Sequence, residues 1–199
     1  TYLQYACLGA ALLAPLGFQH PVFLHTMILV FLYGFMSMGW NILGGYTGQT
    51  SLGHAVYFGI GAYTSTMLMR SFELSPWLGM IVGVIAAVSV ALVITYPCFR
   101  LGGHYFAIAT ICLGEIARIL FINWNLVGGA TGLELPLRYS FAAFQFESKI
   151  PYYYIALAFL LVSLAITTGI ERTRIGYYFR AIKMDQDAAR SLVIYPSRS

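Results

Sequence analysis

PYYYIALAFLLVSLAITTGI, residues 151–170, runs straight into ERTRIGYYFRAIKMDQDAARSLVI, residues 171–194, and the fold turns on this junction. The first stretch carries no charge and is as long as a bilayer-crossing helix needs to be, about 20 residues. The second is where the chain meets water. On a 3.6-residue period Ile175, Tyr178, Phe179, Ile182 and Ala189 fall on one side, and Arg180, Lys183, Asp187 and Arg190 on the other. An amphipathic helix directly after an apolar span either lies on lipid or docks into a soluble partner.

Composition extends the reading to the whole chain. Hydrophobic residues make up 59% of the 199 and charged residues 9%, with a mean hydropathy of +0.76. A soluble domain carries about 25% charged residues, so this chain lacks the charge to coat a soluble globule and reads as an integral membrane protein. Its net charge of +4 does not point to nucleic acid. Of the cations, Arg172, Arg174, Arg180, Lys183, Arg190 and Arg198 lie in the tail, and the rest are scattered singly. Cations concentrated beside a span mark the cytoplasmic side. Cys7, Cys98 and Cys112 lie in or beside apolar segments without ligand-like spacing and read as small buried hydrophobes. No basic stretch precedes the first apolar run, so no cleavable signal is expected.

The apolar runs predict an all-α, polytopic bundle of about six spans: Tyr2–Phe18, Val22–Leu43, His54–Met69, Pro76–Tyr96, His104–Ile122 and Pro151–Ile170. Residues 1–170 form the membrane domain and 171–199 a cytoplasmic segment. Six crossings with the tail inside put the start of the chain and Arg100 inside, and the polar connection 123–149 outside. There is no fixed-period repeat and no low-complexity tract.

Between the second and third spans lies GGYTGQTSLG, residues 44–53, too polar and glycine-rich for a lipid-facing helix. Irregular backbone survives at membrane depth only where protein or a water-filled cavity covers it. Gly45, Thr47, Gln49, Ser51 and His54 are therefore candidates for a polar passage, reinforced by the free N–H groups where the next helix starts. Close helix packing, with the hydroxyls bonded to backbone and His54 in a structural role, explains the same residues. Glu115 and Arg118 lie mid-span on one helix face; they either handle an ion or neutralise each other. The sequence has no phosphate-binding Gly-Lys-Ser/Thr, no HExxH zinc motif and no GxSxG elbow, so neither ATP binding nor covalent chemistry is expected of it, and it calls for no cofactor and no metal. In the tail, Asp185 and Asp187 mixed with Arg180 and Arg190 favour a protein-docking surface over an anionic lipid surface. These features leave open a motor-coupled transporter, an ion-coupled secondary transporter or channel, and a non-transporting scaffold.

Four stretches in this order carry a resemblance: GGYTGQTSLGHAVYFGIGAYT (44–64), GGHYFAIATICLGEIAR (102–118), GGATGL (128–133) and RIGYYFRAIKMDQDAARSL (174–192). Together they resemble the permease subunits of bacterial ABC importers for branched-chain amino acids; related permeases for urea and short-chain amides look similar. The resemblance implies a multi-pass inner-membrane subunit that pairs with a second, homologous permease. It also implies two cytoplasmic ATPase subunits and a periplasmic solute-binding protein as partners. The segment 174–192 is then the coupling helix, with Arg174, Gly176, Phe179, Arg180, Ala181, Ile182, Asp185, Asp187, Ala188 and Ala189 at the ATPase, while 44–53 and the helix after it help line the path. The chain departs from the family at Val193, where a glycine usually stands. Family members also carry further spans after this loop, so the chain is expected to be truncated on its C-terminal side.

Overall fold

Prolines open three of the helices. The computed structural model of the chain describes residues 20–98, 104–135 and 140–184, together with 9, 11–15 and 17. Among the described residues the named elements are helices: α1 (Pro21–Asn41), α2 (His54–Phe72), α3 (Pro76–Cys98), α4 (His104–Asn123), α5 (Ile150–Glu171) and α6 (Arg174–Met184). Proline stands in the first turn of α1 and α5 and opens α3, where its missing N–H removes no helical hydrogen bond. A π-helical turn, Ile42–Tyr46, extends α1. Two 3₁₀ turns, Asn125–Val127 and Gly129–Thr131, follow α4, with Gly128, Gly129 and Gly132 all at positive φ.

Four segments are long and apolar enough to cross a membrane: Pro21–Tyr46, Pro76–Ile94, Tyr105–Asn123 and Ile150–Glu171. Only 11% of the most apolar stretch is buried inside the chain in the first three, and 22% in the last. Apolar surface on that scale has no stable arrangement in water, so these helices face lipid or other protein, and the chain is a membrane protein. The expected third span is different. α2 holds a run of Ser and Thr and ends near Arg70, and length and composition alone do not mark it as spanning. Its 19 residues still rise about 28 Å, close to the bilayer core. The expected first span falls largely outside the described residues.

The chain forms two compact units. One comprises residues 1–42 and 146–178, the other 43–145 and 179–199. In the first, α1 packs on α5 around Leu24, Phe31, Tyr153, Ala156 and Leu157. The Phe31 and Tyr153 rings meet edge to face at 5.1 Å, and Gly34 leaves room for Leu160. The buried Tyr153 hydroxyl donates to the Ala11 carbonyl (2.6 Å), which satisfies the polar end of an otherwise apolar anchor.

In the second unit α2 and α3 pack closely because small residues face each other. A Cβ added at Gly83 would lie 2.8 Å from the Gly61 carbonyl oxygen, and one at Gly79 would lie 2.6 Å from Ser65 Oγ. Gly79 and Gly83 of α3 thus form a small-xxx-small stripe on Gly61 and Ser65 of α2, the arrangement that lets membrane helices approach. Gly59, on the same helix as Gly61, has open space around it. α4 adds to this pair by stacking Phe121 on Tyr63 (4.7 Å). The loop 140–145 sits on the start of α3, where Trp77 Nε1 donates to the Phe141 carbonyl and Ser75 Oγ to that of Ala142.

Candidate functional site

The glycine-rich stretch is the place where a spanning helix fails to continue. After the π turn, residues 47–53 leave the helix and α2 starts afresh at His54. Carbonyls at such an end lose their intrahelical partners, and side chains take them up. Thr47 Oγ1 donates to the Leu43 carbonyl (2.6 Å), and Lys183 Nζ donates to the Gly45 carbonyl (2.9 Å). Gly48 turns the chain at φ +74, a conformation costly for a residue with a Cβ.

The far end of the break is pinned to α4. The Leu52 N–H donates to Thr110 Oγ1 (3.1 Å), and that hydroxyl donates to the Ala107 carbonyl (2.8 Å). Gly53 is buried there, and a Cβ on it would stand 2.9 Å from the Thr110 carbonyl oxygen. Of the free amides expected at the start of α2, that of Leu52 is therefore already taken, and that of Val56 closes a tight turn onto Gly53. Thr110→Val keeps the shape and removes the acceptor. Leaving the Leu52 N–H unpaired costs about 1–3 kcal/mol, so thermal unfolding in detergent is expected to fall for this variant and to be restored by Thr110→Ser.

Ser51, His54, Tyr57, Cys98 and Thr110 are among the residues lining a small cavity of about 50 Å³ behind the break. Gln49 Oε1 and His54 Nδ1 are buried without a hydrogen-bond partner among the described residues. Two such atoms in one ten-residue stretch mark it as polar interior that packing alone has not satisfied. Of the five candidate passage residues, Ser51 and His54 line this cavity, Gln49 presents a buried acceptor, and Gly45 and Thr47 hold the frayed helix end. A larger, almost wholly apolar pocket of about 730 Å³ opens beside α2, α3 and α4, lined by Val56, Tyr63, Met67, Phe121 and Trp124 among others.

Glu115 and Arg118 do not join this site. They lie on the exposed face of α4 and pair with each other, Arg118 Nε to Oε2 at 2.9 Å and the terminal nitrogen to Oε1 at 2.5 Å. Both carboxylate oxygens are engaged, a fork-to-fork arrangement that neutralises the pair within one helix turn.

α5 ends at Glu171 and α6 begins at Arg174, a turn so tight that a Cβ on Gly176 would lie 2.5 Å from the Ile170 carbonyl oxygen. Gly176 is buried by that turn, which gives it a structural reason of its own. Along α6, Arg174, Tyr177 and Tyr178 are exposed and Phe179 is half-buried. Arg180, Ala181 and Ile182 follow on the same helix, whereas Asp185, Asp187, Ala188 and Ala189 lie outside the described residues. Sequence reasoning missed Thr110 and the reach of Lys183. The first is one threonine in an apolar run, and the second bridges 138 positions that no local pattern connects.

Comparison with known proteins bears on the same stretches. The chain is 28% identical over 194 residues to the high-affinity branched-chain amino acid transport system permease protein LivM of Escherichia coli K12, covering 85% of this chain and 46% of that protein. It is 27% identical over 197 residues to the protein of the same name from Salmonella typhimurium LT2, covering 87% and 46%. The chain thus spans about half the length of the curated relatives it matches. No solved structure matches it. The profile of the branched-chain amino acid transport system permease component matches residues 22–197, nearly the whole chain, and the chain belongs to that family.

Proposed function

We propose that the chain is a membrane-embedded subunit of an ATP-driven importer in a bacterial inner membrane, carrying branched-chain amino acids through a path beside the break at 44–53. The observation that carries the reading is the break itself. Between two helices of a permease-family chain, irregular backbone holds the buried Gln49 Oε1 and leads into His54, whose Nδ1 is also buried, both without a hydrogen-bond partner among the described residues. Such backbone is tolerated at membrane depth where it lines a cavity. The relatives' names supply the solute class, and their transport-system membership supports further subunits. These are a second homologous permease, two cytoplasmic ATPases seated on α6, and a periplasmic solute-binding protein. Alternating access then consists of the ATPases moving α6 while the spans rock about the path. An ion-coupled mechanism through Glu115 draws less support, because Arg118 occupies both of its oxygens.

The test is uptake by proteoliposomes holding the product of the whole gene with its partner subunits from the same host. Leucine, isoleucine and valine are expected to enter only when ATP is enclosed with the ATPase, and to compete with one another. Gln49→Leu and Ser51→Ala are expected to slow uptake. Uptake driven by a proton or sodium gradient without ATP counts against the reading, and indifference to both substitutions points to a path elsewhere.

A further inference from the structure

The polar face of α6 does not simply face water. The ammonium of Lys183 donates to the Gly45 carbonyl at 2.9 Å. Its aliphatic stem lies along Gly48, where a Cβ would meet Lys183 Cγ at 3.1 Å and Cβ at 3.7 Å. Gly45 belongs to the π turn that ends the span Pro21–Tyr46. A cation there takes up a carbonyl left over at the helix terminus and sits at the negative end of the helix dipole. Gly48, at φ +74, has no side chain to hold the lysine off. Two separate features of the break, a free carbonyl and a bare backbone surface, thus receive the two halves of one side chain.

We propose that Lys183 is the strap between the docking helix and the broken span: its ammonium caps Gly45, its stem rests on Gly48, and displacement of α6 reaches the break through this contact. The proposal rests on the reading of α6 as the helix that seats the ATPase. It makes Lys183 a positioning residue that touches neither solute nor ATP.

The test uses the assembled permease–ATPase complex with Lys183→Met, which keeps the stem and removes the donor, and Lys183→Arg, which keeps a donor and the charge. Lys183→Met is expected to retain the ATPase and its hydrolysis while solute moved per ATP falls about tenfold or more, the scale of losing a charged hydrogen bond. Lys183→Arg is expected to stay within about threefold, since Arg also donates to carbonyls. An unchanged ratio of solute to ATP in Lys183→Met overturns the strap. Loss of the ATPase from Lys183→Met also overturns it, because the lysine is then part of the docking surface. A second measurement needs no ATPase: amide exchange over residues 45–50 in the permease is expected to accelerate about tenfold in Lys183→Met, as local opening becomes easier, and equal protection overturns the strap. Failure of the docking reading shows up elsewhere, as retention of the ATPase by Phe179→Asp.

Discussion

With α6 as the proposed seat of the ATPase, Phe179→Asp is expected to strip the ATPase from the purified complex while the permease still inserts and is recovered in the membrane fraction. α6 carries three consecutive aromatics, Tyr177 78% and Tyr178 42% exposed and Phe179 half-buried. A ring of that size anchors a groove, and a carboxylate in its place forfeits the apolar burial and brings an unpaired charge into the interface. Truncating an anchor of this kind costs about 2–4 kcal/mol, a loss of roughly 30-fold to 1,000-fold in affinity before the charge is counted. Co-purification from detergent, quantified as ATPase per permease, reads the effect. Phe179→Leu is the control, keeping an apolar side chain and most of the ATPase. If Phe179→Asp binds the ATPase at the unsubstituted ratio, α6 is not the seat of the motor.

Gly83→Leu is expected to be strongly destabilising. The Gly83 position faces the Gly61 carbonyl at a distance that not even a methyl fits, so a leucine must push α2 and α3 apart along the Gly79–Gly83 stripe. Overpacking of this kind costs about 1–3 kcal/mol, and here the upper end applies because the obstacle is backbone. For a chain of this size the midpoint of thermal unfolding is then lowered by about 6–12 °C. Gly59→Leu in α2 is the matched control. Open space surrounds Gly59, and leucine is the better helix former, so its midpoint stays level or rises. Equal destabilisation of the two variants removes the argument for close packing.

What the sequence announces here are features whose physics is local. Apolar runs of spanning length, the interruption at 44–53 and the end of the last span at 171 each depend on neighbours along the chain, and the structure has a helix or a break at each. α2 shows where length and composition stop helping, since Ser65 serves helix packing there rather than a solvated surface. Among glycines, Gly61 and Gly83 touch while Gly59 does not, a distinction of rotation about the helix axis that composition does not carry. Thr110 and Lys183 were illegible for another reason. Each acts on the break through one long-range hydrogen bond, and nothing near either residue in sequence marks its partner. Glu115 and Arg118, three residues apart on one helix, pair with each other, and their separation from the break is a fact of three dimensions.

The interleaving of the two units has a consequence for the order of assembly. The partner helices α1 and α5 are separated in the chain by the whole of α2, α3 and α4. At a synthesis rate of about 5–20 residues per second, α1 waits roughly 5–20 s after leaving the ribosome before α5 appears. During that wait Phe31 and Gly34, which close on Tyr153 and Leu160 in the finished protein, face lipid or an insertion chaperone. The inserted unit has no such delay, since α2 and α3 are joined by three residues and find each other at once. The chain order thus lets α2 and α3 pair before α1 can meet α5.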